Sequence, residues 1–295
     1  MRKEMLAKKA IQMMFLSFAL VSCSTGGESS LQPPVSSEDG RTITYGLYPQ
    51  TLISDTTLID ALNALPQQNG WCSLGDEYYV KVTAKPYSND MVFSNGAKCQ
   101  SDAKYWFKVE PIKWKVLSAE NGDYFVTSEC ILDTQIYNEY YFGTDDDGNY
   151  ANCYKASDIR AWLNGEFLDQ AFHGNDSFIK TTLVDNSVAT TGYKTNRYGC
   201  ENTNDKIFLL SLADITNAEY GFIDAPERAC AVSDYAIAKG AYKNQEYNSG
   251  YWWTRSPSAD YSNTVTFVYF GGGITGESVQ TSGVGVRPAM NIHLN

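Results

Sequence analysis

The spacing of apolar and polar positions divides the chain into short strands and helices. Ile43 to Tyr48 reads as a first strand. Leu58, Ile59, Leu62 and Leu65 fall on one face of a short helix that Asp55 can cap and Pro66 stops. Tyr78 to Lys85 alternates with a period of two, as a strand does. Tyr105–Val109 and Ile112–Leu117 are aromatic and β-branched and predict two strands split by Pro111. Asn121-Gly122 then turns into Tyr124–Thr127, which predicts a hairpin. Ser157 can cap a helix over Asp158–Asn164, and Phe167, Leu168 and Phe172 continue its apolar face. Lys206 to Leu210 predicts a short buried strand followed by a helical turn starting at Ser211, and Ser233 or Asp234 caps a small helix to Lys239. The last third reads as strands and turns, without a repeat of 20–50 residues. Helices in the middle with strands on either side predict an α+β fold rather than alternating βαβ units.

The N-terminus adds an address. Arg2, Lys3, Lys8 and Lys9 precede an apolar stretch from Ile11 to Val21, of signal-peptide length and short for a bilayer span. It ends in Leu20-Val21-Ser22-Cys23, which resembles the bacterial lipobox. The resemblance implies removal of residues 1–22 and lipidation of Cys23, and two or three acyl chains anchor a protein stably. An ordinary secretory signal with an incidental Cys is the alternative. Ser24, in place of the Asp of an inner-membrane retention signal, points to the outer membrane or cell surface. Residues 23–40 are Gly, Ser, Pro and acid, and read as a tether that cannot bury enough to fold. Residues 41–295 are left as the ligand-binding domain, with no later apolar run long enough for a membrane helix.

Charge and cysteines narrow the partners. The chain carries 23 Lys and Arg against 34 Asp and Glu; loss of four basic residues and Glu4 with the signal leaves 19 against 33, or −14. That balance argues against nucleic acid or anionic lipid as ligand. Cys72, Cys99, Cys130, Cys153, Cys200 and Cys230 are an even set in an exported chain and invite disulfides, with fifteen complete pairings open. Cys72 and Cys99, which flank the Tyr78–Lys85 strand, are the favoured pair. No CxxC spacing suggests a zinc cage.

The C-terminal forty-five residues are unusual. Tyr251-Trp252-Trp253-Thr254-Arg255-Ser256-Pro257 and Gly285-Val286-Arg287-Pro288-Ala289-Met290-Asn291-Ile292 frame residues 258–284, which are rich in Ser, Thr, Gly, Tyr, Phe and Val and lack Leu, Lys and Arg. Paratopes use this alphabet, since Ser and Gly adapt while Tyr and Phe offer rigid contact area. Gly271-Gly272-Gly273-Ile274-Thr275-Gly276 matches GxGxxG, but no helical stripe follows, and Glu277 stands where a P-loop needs Lys; a hairpin turn is the better reading. Asp145-Asp146-Asp147-Gly148-Asn149 resembles a calcium loop, but Gly143 holds the place of the first ligand and Tyr154 that of the twelfth, so it reads as a solvated acidic turn and no metal or cofactor is expected. His173 and His293 belong to no visible triad and are expected in structural or surface roles.

Five blocks occur in a fixed order: Pro111–Leu117, Ser157–Asn164, Ile207–Ser211, Trp253–Pro257 and Gly285–Ala289. Together they resemble exported bacterial domains with the C-type lectin fold, in its formylglycine-generating-enzyme-like branch, over roughly residues 100–293. The closing frame resembles the variable proteins of diversity-generating retroelements. In that family a reverse transcriptase mutates template adenines, and AAC codons so altered cannot encode Lys, Glu, Gln, Met or Trp. Residues 258–284 hold two of these, Glu277 and Gln280, which should therefore be fixed. The resemblance implies a binding face at Asp260, Tyr261, Ser262, Asn263, Thr264, Thr266, Phe267, Tyr269, Phe270, Thr275, Ser278, Thr281 and Ser282, with Val265 and Val268 packed inward. Trp252, Trp253 and Met290 are expected in the core, and Arg255 and Arg287 as scaffold arginines bound to carboxylates or carbonyls. The implied partner is a surface ligand, with protein the leading class, and the chain is not expected to be an enzyme. The oxidase branch of this fold uses paired thiols in its C-terminal part, and no Cys follows Cys230. An exported enzyme of the related fold, or an envelope lipoprotein without a specific ligand, are the other readings. No Trp-Asn-Asp is present for calcium-bridged sugar binding.

Overall fold

The computed structural model describes residues 31–192 and 194–294; the expected signal segment and Cys23 lie outside the described residues. β1 (Val35–Ser36) pairs with β2 (Thr42–Leu52), Val35 opposite Thr44 and Ser36 opposite Ile43. The expected tether over 23–40 is thus too long, because residues 35–40 belong to the folded domain. Edge pairing needs backbone hydrogen bonds rather than apolar burial, so a polar composition did not prevent it. α1 (Thr56–Ala64) is capped by Asp55, whose carboxylate accepts from the N–H groups of Thr57 and Leu58.

β3 (Trp71–Leu74) and β4 (Glu77–Thr83) lead to β5 (Lys104–Glu120), a single strand of 17 residues. Pro111 does not split it. On one edge β5 pairs with β4 as far as Val109, and with β6 (Asp123–Ser128) from Trp114 onward. Pro111 falls between these partners, where no ladder bond on that edge calls for an N–H. Asn121 (φ 51°) and Gly122 (φ 83°) make the two-residue turn into β6.

After β7 (Asp133–Thr134) comes the helical middle. α2 (Asp158–Trp162) is capped by Ser157 and runs through one π-helical turn, Leu163–Phe167, into α3 (Leu168–Phe172). Asn164, in the π turn, accepts from the N–H groups of Lys206 and Ile207 and donates to the Ile207 carbonyl, which ties helix to sheet. β8 (Thr182–Val184) pairs with β9 (Thr203–Asp205), and Arg160 of α2 grips Asp205 at 2.6 Å. β10 (Ile207–Leu209) is followed by α4 (Leu212–Ile215), opened by a reciprocal Ser211–Asp214 capping box. Then come α5 (Ala225–Arg228), α6 (Asp234–Lys239) capped by Ser233, β11 (Lys243–Asn244) and β12 (Ser249–Gly250). The chain closes with β13 (Trp252–Pro257), β14 (Thr264–Val268), β15 (Ile274–Ser278), β16 (Gly285–Val286) and β17 (Pro288–His293).

The larger sheet, ordered β1-β2-β5-β6-β17-β10 with β4 paired to β5 and β3 to β4, curls into a half-barrel. The second is ordered β15-β14-β13-β16-β7. Arg287 sits at the step from β16 to β17, where the chain passes between the sheets. The favoured Cys72–Cys99 pair does not form. Cys72 lies opposite Tyr79 and packs with Leu62, Tyr79 and Trp106; Cys99 packs in the main core with Met91, Phe93 and Phe107. Successive residues of a strand point to opposite faces, so the sheet itself stands between the two thiols.

Candidate ligand-binding face

The face is built on β13, whose six residues are all buried. The two indoles are anchored at both ends: Trp252 Nε1 donates to the Arg228 carbonyl at 3.0 Å and Trp253 Nε1 to the Gln135 carbonyl at 2.9 Å. Arg255 binds the Leu209 carbonyl (2.7 Å) and Asp214 (2.8 Å) through Nη1 and reaches the Asp185 carbonyl through Nε. Arg287 donates through Nε to the Ser128 carbonyl and lies over the Trp252 ring at 5.0 Å. Trp252, Trp253 and Met290 are core, and both arginines tie separate segments together. A Lys at 255 would have one nitrogen for three acceptors.

The expected inward pair, Val265 and Val268, is fully buried. Thr266 and Phe267 are buried as well, at 5% and 4% exposure, and therefore leave the contact set. The expectation assumed one wet face. β14 instead lies between β13 and β15 and is covered on both sides, with the Phe267 ring against Tyr251 and Trp253. Asp260, Tyr261, Tyr269, Thr275 and Ser282 are exposed, while Ser262, Asn263, Thr264, Phe270, Ser278 and Thr281 are half-buried. Thr275 and Ser278 lie on β15, which pairs along β14. Asp260–Asn263 precede β14, and Tyr269 and Phe270 follow it, at its far end.

At the near end, a loop from the helical region clamps the chain. The Asn152 N–H donates to the Ser262 carbonyl, and Asn152 Nδ2 donates to the carbonyls of Tyr261 (2.9 Å) and Thr264 (3.0 Å). Asn196 Nδ2 holds the Pro257 carbonyl at 2.9 Å. At the far end Gly271–Gly273 form the turn read from the sequence, whereas Gly276, the last glycine of the GxGxxG match, lies in β15 opposite Thr266. The Tyr269 N–H donates to the Gly273 carbonyl, and Gly272 (φ 80°) lies so close to α5 that a Cβ would stand 1.6 Å from the Ala225 carbonyl oxygen.

This turn joins an aromatic array that the sequence did not single out. Tyr251 is its hub. Its ring stacks on Tyr242 at 4.3 Å and meets Tyr269 at 5.0 Å and Phe270 at 5.9 Å. Tyr87 adds to Tyr242 at 5.2 Å, and Tyr247 to Phe270 at 5.1 Å. Burial, then the hydroxyls of Tyr269 and Tyr242 hydrogen-bonded to it, push the Tyr251 phenol well above its ordinary range, so it stays protonated. Tyr87, Tyr247 and Tyr269 keep 48%, 56% and 40% of their surface exposed, enough to form a contact face. The missed signal was Tyr242-Lys243-Asn244-Gln245-Glu246-Tyr247-Asn248-Ser249-Gly250-Tyr251, which has the same Tyr, Asn, Ser and Gly alphabet just before the frame.

Residues 121–294 match the profile of the family described as Domain of unknown function (DUF6273), more than half of the chain. The chain belongs to that family. No curated protein and no solved structure matches it. The DUF6273 segment starts in the turn between β5 and β6 and takes in both sheets' C-terminal strands, the Asn152 clamp and every ring of the array except Tyr87.

The remaining candidates fall elsewhere. Asp145 turns its carboxylate inward on its own loop, accepting from the N–H groups of Asp147 and Asn149. Among the described residues, no group of three or more His, Cys, Asp or Glu is placed to hold a metal. His173 ends α3 in a left-handed conformation (φ 48°), and His293 Nδ1 lies 2.7 Å from Asp123 Oδ1 at an exposed end of the larger sheet.

Proposed function

We propose that this protein is a lipid-anchored receptor of the outer membrane or cell surface, held by Cys23, with a C-type lectin-like fold. It binds a ligand, in the first place a protein, through a C-terminal face diversified by retroelement-directed mutagenesis. It works by binding rather than catalysis. The observation that carries this reading is the array of Tyr87, Tyr242, Tyr247, Tyr251, Tyr269 and Phe270. Partly exposed aromatic rings give large contact area at low entropic cost, and the hub of this array, Tyr251, immediately precedes β13, a strand that is buried throughout. The division of residues 258–284 supports diversification too: Asp260, Tyr261, Tyr269, Thr275 and Ser282 are exposed and can change without touching the core.

Deep sequencing of the gene's 3′ end across isolates tests the reading. Variation is expected at those exposed positions and at the half-buried Ser262, Asn263 and Ser278, with Val265, Phe267, Val268, Glu277 and Gln280 constant. A nearby near-copy of the DNA should differ only at adenines. A segment no more diverse than residues 100–250, or one varying at its buried positions, sinks the proposal.

A further inference from the structure

We infer that Cys153 and Cys200 close a disulfide in the exported protein, a covalent strut behind the Pro257–Thr264 loop. The inference rests on export for its oxidising surroundings. Three side-chain contacts bring the two segments together in the same direction. The rings of Tyr150 and Tyr198 meet edge to face at 5.0 Å, the thiols of Cys153 and Cys200 interact directly, and Lys155 pairs with Glu201. The backbone is fixed on both sides: the Cys153 N–H donates to the Tyr150 carbonyl and the Cys200 N–H to the Asn186 carbonyl. The other neighbouring thiols point elsewhere. Cys130 Sγ faces Gln50 Oε1 at 3.8 Å, and Cys230 Sγ faces the Glu129 carbonyl at 3.5 Å.

The pair is chemically asymmetric. Cys153 Sγ also faces Asn149 Oδ1 at 3.8 Å. Its interaction with Cys200, then burial, holds the Cys153 thiol above its ordinary range, and the same interaction holds the Cys200 thiol below it. Cys200 is therefore the attacking thiolate. It displaces one thiolate from a disulfide oxidant and forms a mixed disulfide. Cys153 gives its proton to solvent, attacks the Cys200 sulfur and releases the second thiolate. Two protein thiols lose two protons and two electrons, and the oxidant is reduced to two thiols.

The bond would join the two segments that hold the candidate loop. Asn152, next to Cys153, binds Tyr261, Ser262 and Thr264, and Asn196, four residues before Cys200, binds Pro257. The test uses the full chain, exposed while folded to oxidised glutathione, then alkylated, digested and mapped without reduction. The expected product is one peptide pair linking Cys153 to Cys200, with an intact mass lower by two hydrogens. The oxidised protein should melt at higher temperature than the reduced one, and Cys153→Ser and Cys200→Ser should each abolish that difference. Both thiols remaining alkylatable under excess oxidant, a link from either to another cysteine, or an unchanged melting temperature would overturn the inference. Protein recovered from its own cells separates this from the export reading: a chain that pairs with glutathione but is reduced in the cell keeps the strut and contradicts export.

Discussion

Asn152→Ala tests whether a residue more than a hundred positions away in sequence sets the shape of the candidate loop. Asn152 is fully buried, and its Nδ2 spans the Tyr261 and Thr264 carbonyls. Truncation removes both bonds, each contributing about 1 kcal/mol net. Neither carbonyl is stranded, since the Tyr261 oxygen still accepts from the Thr264 N–H and the Thr264 oxygen from the Ser258 N–H. Asn152 Oδ1 has no partner among the described residues, and losing that buried atom offsets part of the cost. The expected loss is about 1–2 kcal/mol. Asn152→Asp should cost more, at least about 3 kcal/mol, because a buried acceptor would face two carbonyls with no donor between them. Urea unfolding measures the totals. Hydrogen exchange at the Ser258 and Val279 amides, which donate to Thr264 and Asn263, locates the effect, with roughly tenfold faster exchange expected. An Ala variant within about 0.5 kcal/mol of the parent, or an Asp variant no worse than Ala, refutes the clamp.

Two further outcomes follow from the same structure. Gly272→Ala forces a Cβ into the Ala225 carbonyl at a left-handed φ and should cost at least about 3 kcal/mol, whereas Gly273→Ala, with open space around it, should be neutral or stabilising by about 0.5 kcal/mol; equal effects in thermal melts would contradict the turn geometry. His173 is held below its ordinary pKa of 6.5 by burial alone, so the unfolded chain takes up the proton first on acidification. Its contribution is present above pH 6.5 and is lost as pH falls toward the lower folded value. His173→Asn keeps a residue suited to the left-handed cap and should flatten that part of the stability–pH curve; an unchanged slope would show that His173 does not cause it.

Local signals were legible wherever the physics is local. The caps at Asp55, Ser157, Ser211 and Ser233 and the Asn121-Gly122 turn depend on side chains reaching backbone groups a few residues away. The buried Trp252-Trp253 pair and the two scaffold arginines were legible from residue type. Pro111 was misread because its tolerance depends on which strands flank it, and Cys72 with Cys99 because nearness in sequence says nothing about the face of a sheet. Thr266 and Phe267 were misplaced for a related reason: alternation predicts one wet face only when one face is uncovered.

The sequence by itself determined the helix caps, the Asn121-Gly122 turn, the odd alphabet of residues 258–284 and the turn at Gly271–Gly273, because each follows from residue type or from bonds among neighbours. Only the tertiary structure decided which of those residues reach solvent and what stands beside them. Tyr87, Tyr242 and Tyr247 join Tyr269 and Phe270 through Tyr251, and Asn152 and Asn196 hold the opposite loop, across gaps no local pattern spans. Burial and ring contact are properties of packed surfaces, and those surfaces exist only once the two sheets have closed on one another.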